Sequence, residues 1–585
     1  MKSFLVTTPL KETWPSKDNK LIFLGNWCTL YDDNKYLNDY EYTISDYHWN
    51  DRGKLKVDFD YLNLLFEKIL PSLASRFNKI HKVNYDTRYW KLILGPWLMV
   101  FLSISFDRWE SVRLCFKKFD INKTIQLLLN EKDMISTCME DFSNKIETDE
   151  WNHYLFSEII NYANYEIEIE KIYQDKVLTN KENRKQKSWI FNTLKSVFFL
   201  ITSFPAIYSK IFIYHSYLAR IETLKLNLKL NQIPYLNHTK DNFYKNYKKE
   251  NYRDWELKEF DYNNDYENFL CKNINKFIPY TYLENFKLLN RSIDKKFWPK
   301  KPKVIFTSNA YYMDETFKLW AASKIRDYDT KLVIGQHGGH WGQGSFNFTE
   351  NYEISISDKY LSWGWLNENK KVSPTGIFKP LIKSKKSKKK DKLIFILLGT
   401  DRYSHNIQSI PISSQWLNYF NYQIVLANNL SQKIKKNIHF KLYPHDYKWS
   451  QKQRLKDNLD FNTFKIIKEN IKYKDIFKNC RLTISGWNST TFLETMSSNI
   501  PTIIFWDEKY FELRETAKYD FELLKKAKIF FDNPNEAAKH INNIWDNIEL
   551  WWYNNEIVKI RNLFVSKYSN TENVLKKIAK ELNNC

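Results

Sequence analysis

Leu393-Ile394-Phe395-Ile396-Leu397-Leu398-Gly399 sets six consecutive apolar residues before a glycine. That is the pattern of a strand buried on both faces of a parallel sheet. Further apolar runs follow at Ile438–Tyr443, Phe464–Ile467, Leu482–Ser485 and Pro501–Phe505. Helical segments separate them at Ser450–Asn458, Tyr473–Asn479 and Ser489–Ser498. Parallel neighbours require a crossover, usually a helix, so this alternation predicts a doubly wound α/β domain over 393–585.

Upstream of the first strand, the run KSKKSKKKDK (Lys383–Lys392) carries like charges that resist packing, and it reads as a solvated linker over 381–392. Beyond it, Lys303–Thr307, Lys331–Gly335 and Tyr360–Trp363 read as buried strands, with a helix from Asp314 to about Lys324. Ser3–Thr8 and Leu21–Gly25 have the same character. These runs predict one N-terminal Rossmann-like domain over 1–380, interrupted over about 59–300 by a helical insertion. Two such domains facing one another across a cleft form the GT-B architecture.

The 585 residues exceed one hydrophobic core, and 43% hydrophobic with 27% charged residues is the balance of a globular protein. Only 12 Gly and 15 Pro exclude a fibrous or low-complexity chain. The net charge of +22 fits anionic partners, but no zinc-finger spacing or nucleic-acid motif accompanies it, so nucleic acid is not an expected partner. Six scattered Cys without a CxxC pair, and an N-terminus without a signal-peptide core, predict reduced thiols in the cytoplasm. Val197–Tyr208 is apolar, too short to span a bilayer and bracketed by Lys195 and Lys210. It reads as a buried helix, or as a peripheral contact with the inner membrane.

In a doubly wound sheet, ligands sit at the carboxyl ends of strands. Four such ends carry polar residues that a structural loop does not require. Gly335-Gln336-His337-Gly338-Gly339-His340 puts two imidazoles, able to exchange protons near neutral pH, beside glycines that let a ligand approach. His337 is the candidate base and His340 its reserve, with Asp314 or Glu315 as carboxylate alternatives. Tyr443-Pro444-His445-Asp446 offers His445 to a phosphate with Asp446 to fix its tautomer, and Arg454 on the next helix adds positive charge. Ser485-Gly486-Trp487-Asn488-Ser489-Thr490-Thr491 places hydroxyls at a helix start, where free N–H groups and the helix dipole attract an anion. Glu494 follows, placed to hold a ribose hydroxyl or to favour the dipole. In Gly399-Thr400-Asp401-Arg402, the guanidinium is a candidate phosphate clamp. No group of ligands has metal spacing, so neither metal nor cofactor is expected. The absence of GxxxxGK[ST], GxGxxG and GxSxG counts against an ATPase, a dehydrogenase and an α/β-hydrolase.

Thr7-Thr8, Glu12-Thr13-Trp14-Pro15, Phe23-Leu24-Gly25-Asn26-Trp27-Cys28, Arg88-Tyr89-Trp90 and Gly95-Pro96-Trp97 join Gln336-His337-Gly338-Gly339, Tyr443-Pro444-His445-Asp446 and Asn488-Ser489-Thr490-Thr491. In combination they resemble a family of bacterial transferases found among surface-polysaccharide genes. More distantly, the His-containing strand end and the hydroxyl pair are similar to transferases of CMP-activated sialic acid and Kdo, and to CDP-glycerol glycerophosphotransferases. The resemblance implies that His445, Ser489 and Thr490 hold the donor's nucleotide phosphate; the order here is Pro444-His445 where His-Pro is usual. The expected function is therefore transfer of a sugar, a CMP-activated ulosonic acid above others, to a glycan or lipid-linked glycan of the cell envelope. Glycerophosphate transfer, epimerisation of a UDP-sugar and non-catalytic nucleotide or glycan binding are the alternatives.

Overall fold

The apolar run that opens the C-terminal half forms β11 (Lys392–Ile396), and Leu393, Ile394 and Phe395 are buried on both faces of its sheet. The computed structural model describes residues 3–173, 204–235, 253–379, 381–382, 390–471 and 473–585. Residues 197–203 of the apolar segment and 383–389 of the basic run lie outside them.

Sixteen described strands form three sheets, and every strand pairing within them is parallel. The third sheet has the order β13-β12-β11-β14-β15-β16. Its members are β12 (Ile438–Lys441), β13 (Lys465–Ile466), β14 (Cys480–Ser485), β15 (Thr502–Phe505) and β16 (Phe530–Phe531) around β11. The second has the order β10-β9-β8-β7-β6, from β6 (Ile211–Ile213), β7 (Val304–Thr307), β8 (Lys331–Gly335), β9 (Lys359–Ser362) and β10 (Val372–Pro374). These two doubly wound sheets direct strand ends into a common cleft, the GT-B-like arrangement of an α/β protein.

The N-terminal half departs from expectation in one respect. β1 (Ser3–Val6) and β2 (Lys20–Phe23) do not join the second sheet; they form a sheet of their own, β3-β2-β1-β4-β5. Its remaining strands are β3 (Tyr42–Ile44), β4 (Lys123–Leu128) and β5 (Glu168–Tyr173). The span 59–300 is thus not a purely helical insertion, since it contains β4, β5 and β6. β4 (KTIQLL) mixes polar residues into its run, β5 (EIEKIY) is a partly exposed edge strand, and β6 has three residues, so none gives a continuous apolar signal.

The crossover from β3 to β4 is a helical hairpin, α1 (Arg52–His81) and α2 (Thr87–Lys118), with Asp51 and Asp86 capping the two starts. α2 is long and apolar enough to cross a membrane, yet 94% of that stretch is buried inside the protein. It packs against α1, α4 (Asp149–Ala163), α6 (Glu315–Tyr328) and α7 (Phe348–Ile356), making one core between the first and second sheets. α3 (Met139–Lys145) and α5 (Arg220–Lys229) lie between α2 and α6 in the chain. In the C-terminal half, α8 (Gln451–Asn458) follows β12 and α9 (Thr490–Ser497) follows β14.

The chain then returns. α10 (Asn555–Tyr568) packs on α9, while α11 (Val574–Asn583) packs on α5 of the second-sheet unit. Asn570 seals that return: its N–H donates to the Trp363 carbonyl at 2.9 Å and its carbonyl accepts from the Ile377 N–H at 2.8 Å. The last helix therefore sits with the N-terminal half, outside the packing expected for a domain ending at 585.

Candidate active site

A cleft of about 970 Å³ opens where the strands end. The connections after β6, β7 and β8 form one wall, those after β11, β12 and β14 the opposite wall, and α3 with Glu147 a third side. His215, Tyr217, Ser413 and Tyr447 line it with φ of 49°, 63°, 49° and 52°. Such left-handed backbone in non-glycine residues is costly and concentrates at functional sites. In a chain with 90 Lys and Arg, the cleft lining among the described residues contains neither; it carries aromatic rings, imidazoles and the carboxylates Glu140, Glu147, Asp314 and Asp401.

Three imidazole–carboxylate pairs surround this space. His337, two residues past β8, sets Nδ1 3.1 Å from Oε1 of Glu353 on α7. Glu353 is fully buried, and it is held by the hydroxyls of Tyr311 and Tyr360 and by Trp341 Nε1. With Nδ1 turned to Glu353, Nε2 is the nitrogen left for a ligand in the cleft. On the opposite wall, His405 Nδ1 lies 3.0 Å from Asp401 Oδ2. Burial pushes the Asp401 carboxyl up to about 7 and the His405 imidazole down to about 4. The third pair is His445 Nε2 and Glu147 Oε2, 3.0 Å apart at the rim, where His445 is largely exposed. Burial, and then the charge of Asp401, raise the Glu147 carboxyl. The raised Asp401 carboxyl keeps this wall from being fully negative at neutral pH.

Of the expected residues, His337, Asp314 and Gly399 line the cleft, and His445 stands at its edge. Asp314 also caps α6 through the Phe317 N–H and accepts from the Tyr214 hydroxyl at 2.9 Å. A Cβ on Gly399 would come within 2.5 Å of Tyr443, so that close approach requires glycine.

The others serve the fold. His340 is buried behind Gly344; burial, with Arg514 adding to it, lowers its imidazole to about 3, which removes it from proton exchange at neutral pH. Glu315 is a fully buried partner of Lys318 at 2.8 Å. Arg402 donates to the Trp27 carbonyl and to Asp149 on α4, and it clamps the first unit to the third instead of meeting a phosphate. Asp446 caps α8 by accepting from the Ser450 and Gln451 N–H groups at 2.8 Å, and so does not orient His445. Arg454 donates to the Trp449 carbonyl and lies over the Tyr31 ring at 4.0 Å.

The anion cradle expected at the start of α9 is occupied by protein. Gly339 N–H donates to Thr490 Oγ1 at 3.0 Å, and a Cβ on Gly339 would stand 2.6 Å from the Thr490 nitrogen. Ser489 caps the helix by accepting from the Thr491 N–H, and neither residue is among the cleft lining. Gln336 and Gln343 bind the carbonyls of Gly338 and Gly339, so the glycine pair is a joint between the two walls. Gly486 packs against Tyr419 and Gln423, and Glu494 lies outside the lining, its carboxyl raised by burial to about 7.

A family model described as LIC12162 family transferase matches residues 3–582. The chain belongs to that family. It is a transferase, and its cleft is the candidate seat of group transfer. No curated protein matches the sequence. Among solved structures it is similar to the S. aureus MnaA-UDP co-structure, at 11% identity and a TM-score of 0.35 over 64% of this chain and 95% of that one. It is also similar to a Thermobaculum terrenum O-GlcNAc transferase mutant, at 9% identity and a TM-score of 0.34 over 91% and 97%. Acinetobacter baumannii MurG gives 10% identity and a TM-score of 0.29 over 52% and 78%.

Glu353, Asp401, His405 and Glu147 of this transferase escaped the sequence reading. For Asp401 and His405 a signal existed, the i, i+4 spacing in the loop after Gly399, one residue before and three after the conspicuous Arg402. Glu353 gave none, because nothing local marks a carboxylate in the middle of FTENYEISI.

Proposed function

We infer that this transferase moves a sugar from a nucleotide-activated donor to a bacterial surface glycan, working in the cytoplasm. The observation that carries this reading is the His337–Glu353 pair at a strand end, facing a cleft shared by two doubly wound sheets. In the transfer, the acceptor hydroxyl gives its proton to His337 Nε2 as its oxygen attacks the anomeric carbon. The bond from that carbon to the phosphate oxygen breaks, and the nucleotide leaves with the electron pair. Glu353, 3.1 Å from Nδ1, offsets the charge of the imidazolium that forms.

The leaving phosphate lies on the opposite wall in this reading, against the backbone at Gly399 and Thr400, His405 and His445. With no Lys or Arg among the described residues of the lining, its charge is met by N–H groups, imidazoles and hydroxyls. The donor is a CMP-activated ulosonic acid, following the resemblance of the strand-end motifs, and a CDP-glycerol-type glycerophosphate transfer would use the same walls.

Thermal shift with CMP, CDP, UDP, GDP and their sugar conjugates tests the donor, because only a ligand that prefers the folded state raises the melting temperature. A cytidine ligand should give the largest rise; stabilisation by uridine or guanosine nucleotides alone would reassign the donor. With the stabilising sugar nucleotide, His337→Ala should cut turnover at least about a hundredfold while leaving that thermal shift intact.

A further inference from the structure

We propose that the outer face of α5 docks this protein on an anionic lipid bilayer beside the mouth of the cleft. Ile221, Leu224 and Leu228 recur at i, i+3 and i+7, and are 57%, 37% and 63% exposed. That spacing puts them on one helix face. The opposite face, with Leu226 and Asn227, is buried, and the helix is braced by α11. Tyr208 and Ile233, before and after the helix in the chain, are exposed as well.

Charge fits the same occupant. Lys225 and Lys229 border one side of the apolar stripe and Arg220 the other, all three exposed, with Lys210 nearby in sequence. The helix carries one acid, Glu222, which pairs with Lys225 at 2.9 Å. An amphipathic face of this kind, aliphatic in the middle and basic at the edges, matches the acyl boundary and headgroups of an anionic leaflet. A second copy of the chain fits less well, since a two-fold contact would bring each basic edge against its own copy. A peptide partner would need a groove, and this face is a single convex helix.

Position gives the docking a consequence. The connection from β6 into α5 carries His215 and Tyr217, which line the cleft. Lys379 lies over the Tyr217 ring at 4.6 Å, adding positive charge at the same edge. Docking stands independently of the transfer reading; joined to it, docking means that the acceptor glycan is carried on a lipid and enters past Tyr217.

The test is co-sedimentation of the full chain with vesicles of phosphatidylcholine alone or mixed with phosphatidylglycerol. The wild type should partition onto the anionic vesicles and much less onto the neutral ones. Ile221→Asn/Leu224→Asn/Leu228→Asn and Arg220→Gln/Lys225→Gln/Lys229→Gln should each reduce the partition coefficient at least about tenfold. All six side chains are exposed, so the melting temperatures should hold, and the charge variant keeps the test decisive if the apolar one misfolds. Wild type that stays in the supernatant, equal binding to both vesicle types, or binding unchanged in a folded variant would each overturn the proposal. So would a vesicle-free dimer that the apolar variant abolishes, which would make this face a contact between chains.

Discussion

Glu353 Oε1 lies 3.1 Å from His337 Nδ1, although Glu353 is fully buried and His337 faces the cleft. The carboxylate is fixed from its far side by Tyr360 and Trp341 and beside the imidazole by Tyr311, so it can turn toward nothing else. A carboxylate fixed in this way stands beside the imidazole before substrate arrives and favours the imidazolium that proton uptake creates.

Glu353→Gln should therefore lower kcat at least about tenfold while leaving KM for the donor close to that of the wild type. Glu353→Asp should recover part of the loss, because the charge is kept and only its reach is shortened. Steady-state kinetics with the sugar nucleotide found by thermal shift checks both. A rise in KM at constant kcat would place Glu353 in substrate binding and end its positioning role.

Asp401 gives a pH signature of the opposite wall. Burial raises its carboxyl to about 7 in the folded protein, against about 3.9 in an unfolded chain. A raised acid stabilises the fold fully below its unfolded value, and that contribution is lost as pH rises through the folded value. The melting temperature of Asp401→Asn relative to wild type should thus climb between about pH 4 and pH 8, by an amount worth at least about 1 kcal/mol. A difference that stays flat across that window would show that Asp401 is ionised throughout.

Arg402 and Asp149 tie the third unit to the first inside the protein. Burial alone would push the Asp149 carboxyl up, but Arg402 and Lys448 more than reverse that and hold it below the ordinary carboxylate range. Asp149→Asn strands a buried guanidinium and should cost about 3–5 kcal/mol, seen as a fall of several degrees in Tm. Adding Arg402→Met should restore much of the loss, because the unpaired charge goes with it. A single variant that melts like the wild type would mean that solvent reaches the pair.

Transfer should persist in EDTA. Among the described residues no three His, Cys, Asp or Glu side chains converge as metal ligands, and the imidazoles and backbone N–H groups of the cleft supply the hydrogen bonds assigned to the leaving phosphate. Measuring donor consumption before and after chelation decides this; loss of activity that Mg²⁺ or Mn²⁺ restores would put an ion in the mechanism.

The sequence by itself determined what depends on neighbours along the chain. Apolar runs such as LIFILL bury themselves on both faces and demand crossovers, so parallel sheets and polar strand ends could be read without coordinates, and with them His337 and Gly399, which line the cleft. The three-residue β6 and the half-exposed β5 carry no such signal, which is why the second and first sheets could not be separated in advance. Only the tertiary structure decided the polar partners. Arg402 turns into the protein toward Asp149 while its neighbour Asp401 faces the cleft, and Gly339 closes on Thr490 from 151 residues away. A polar side chain at a strand end becomes clamp, cap or cleft lining according to which unit packs over it, and that is set by buried contacts between segments far apart in sequence.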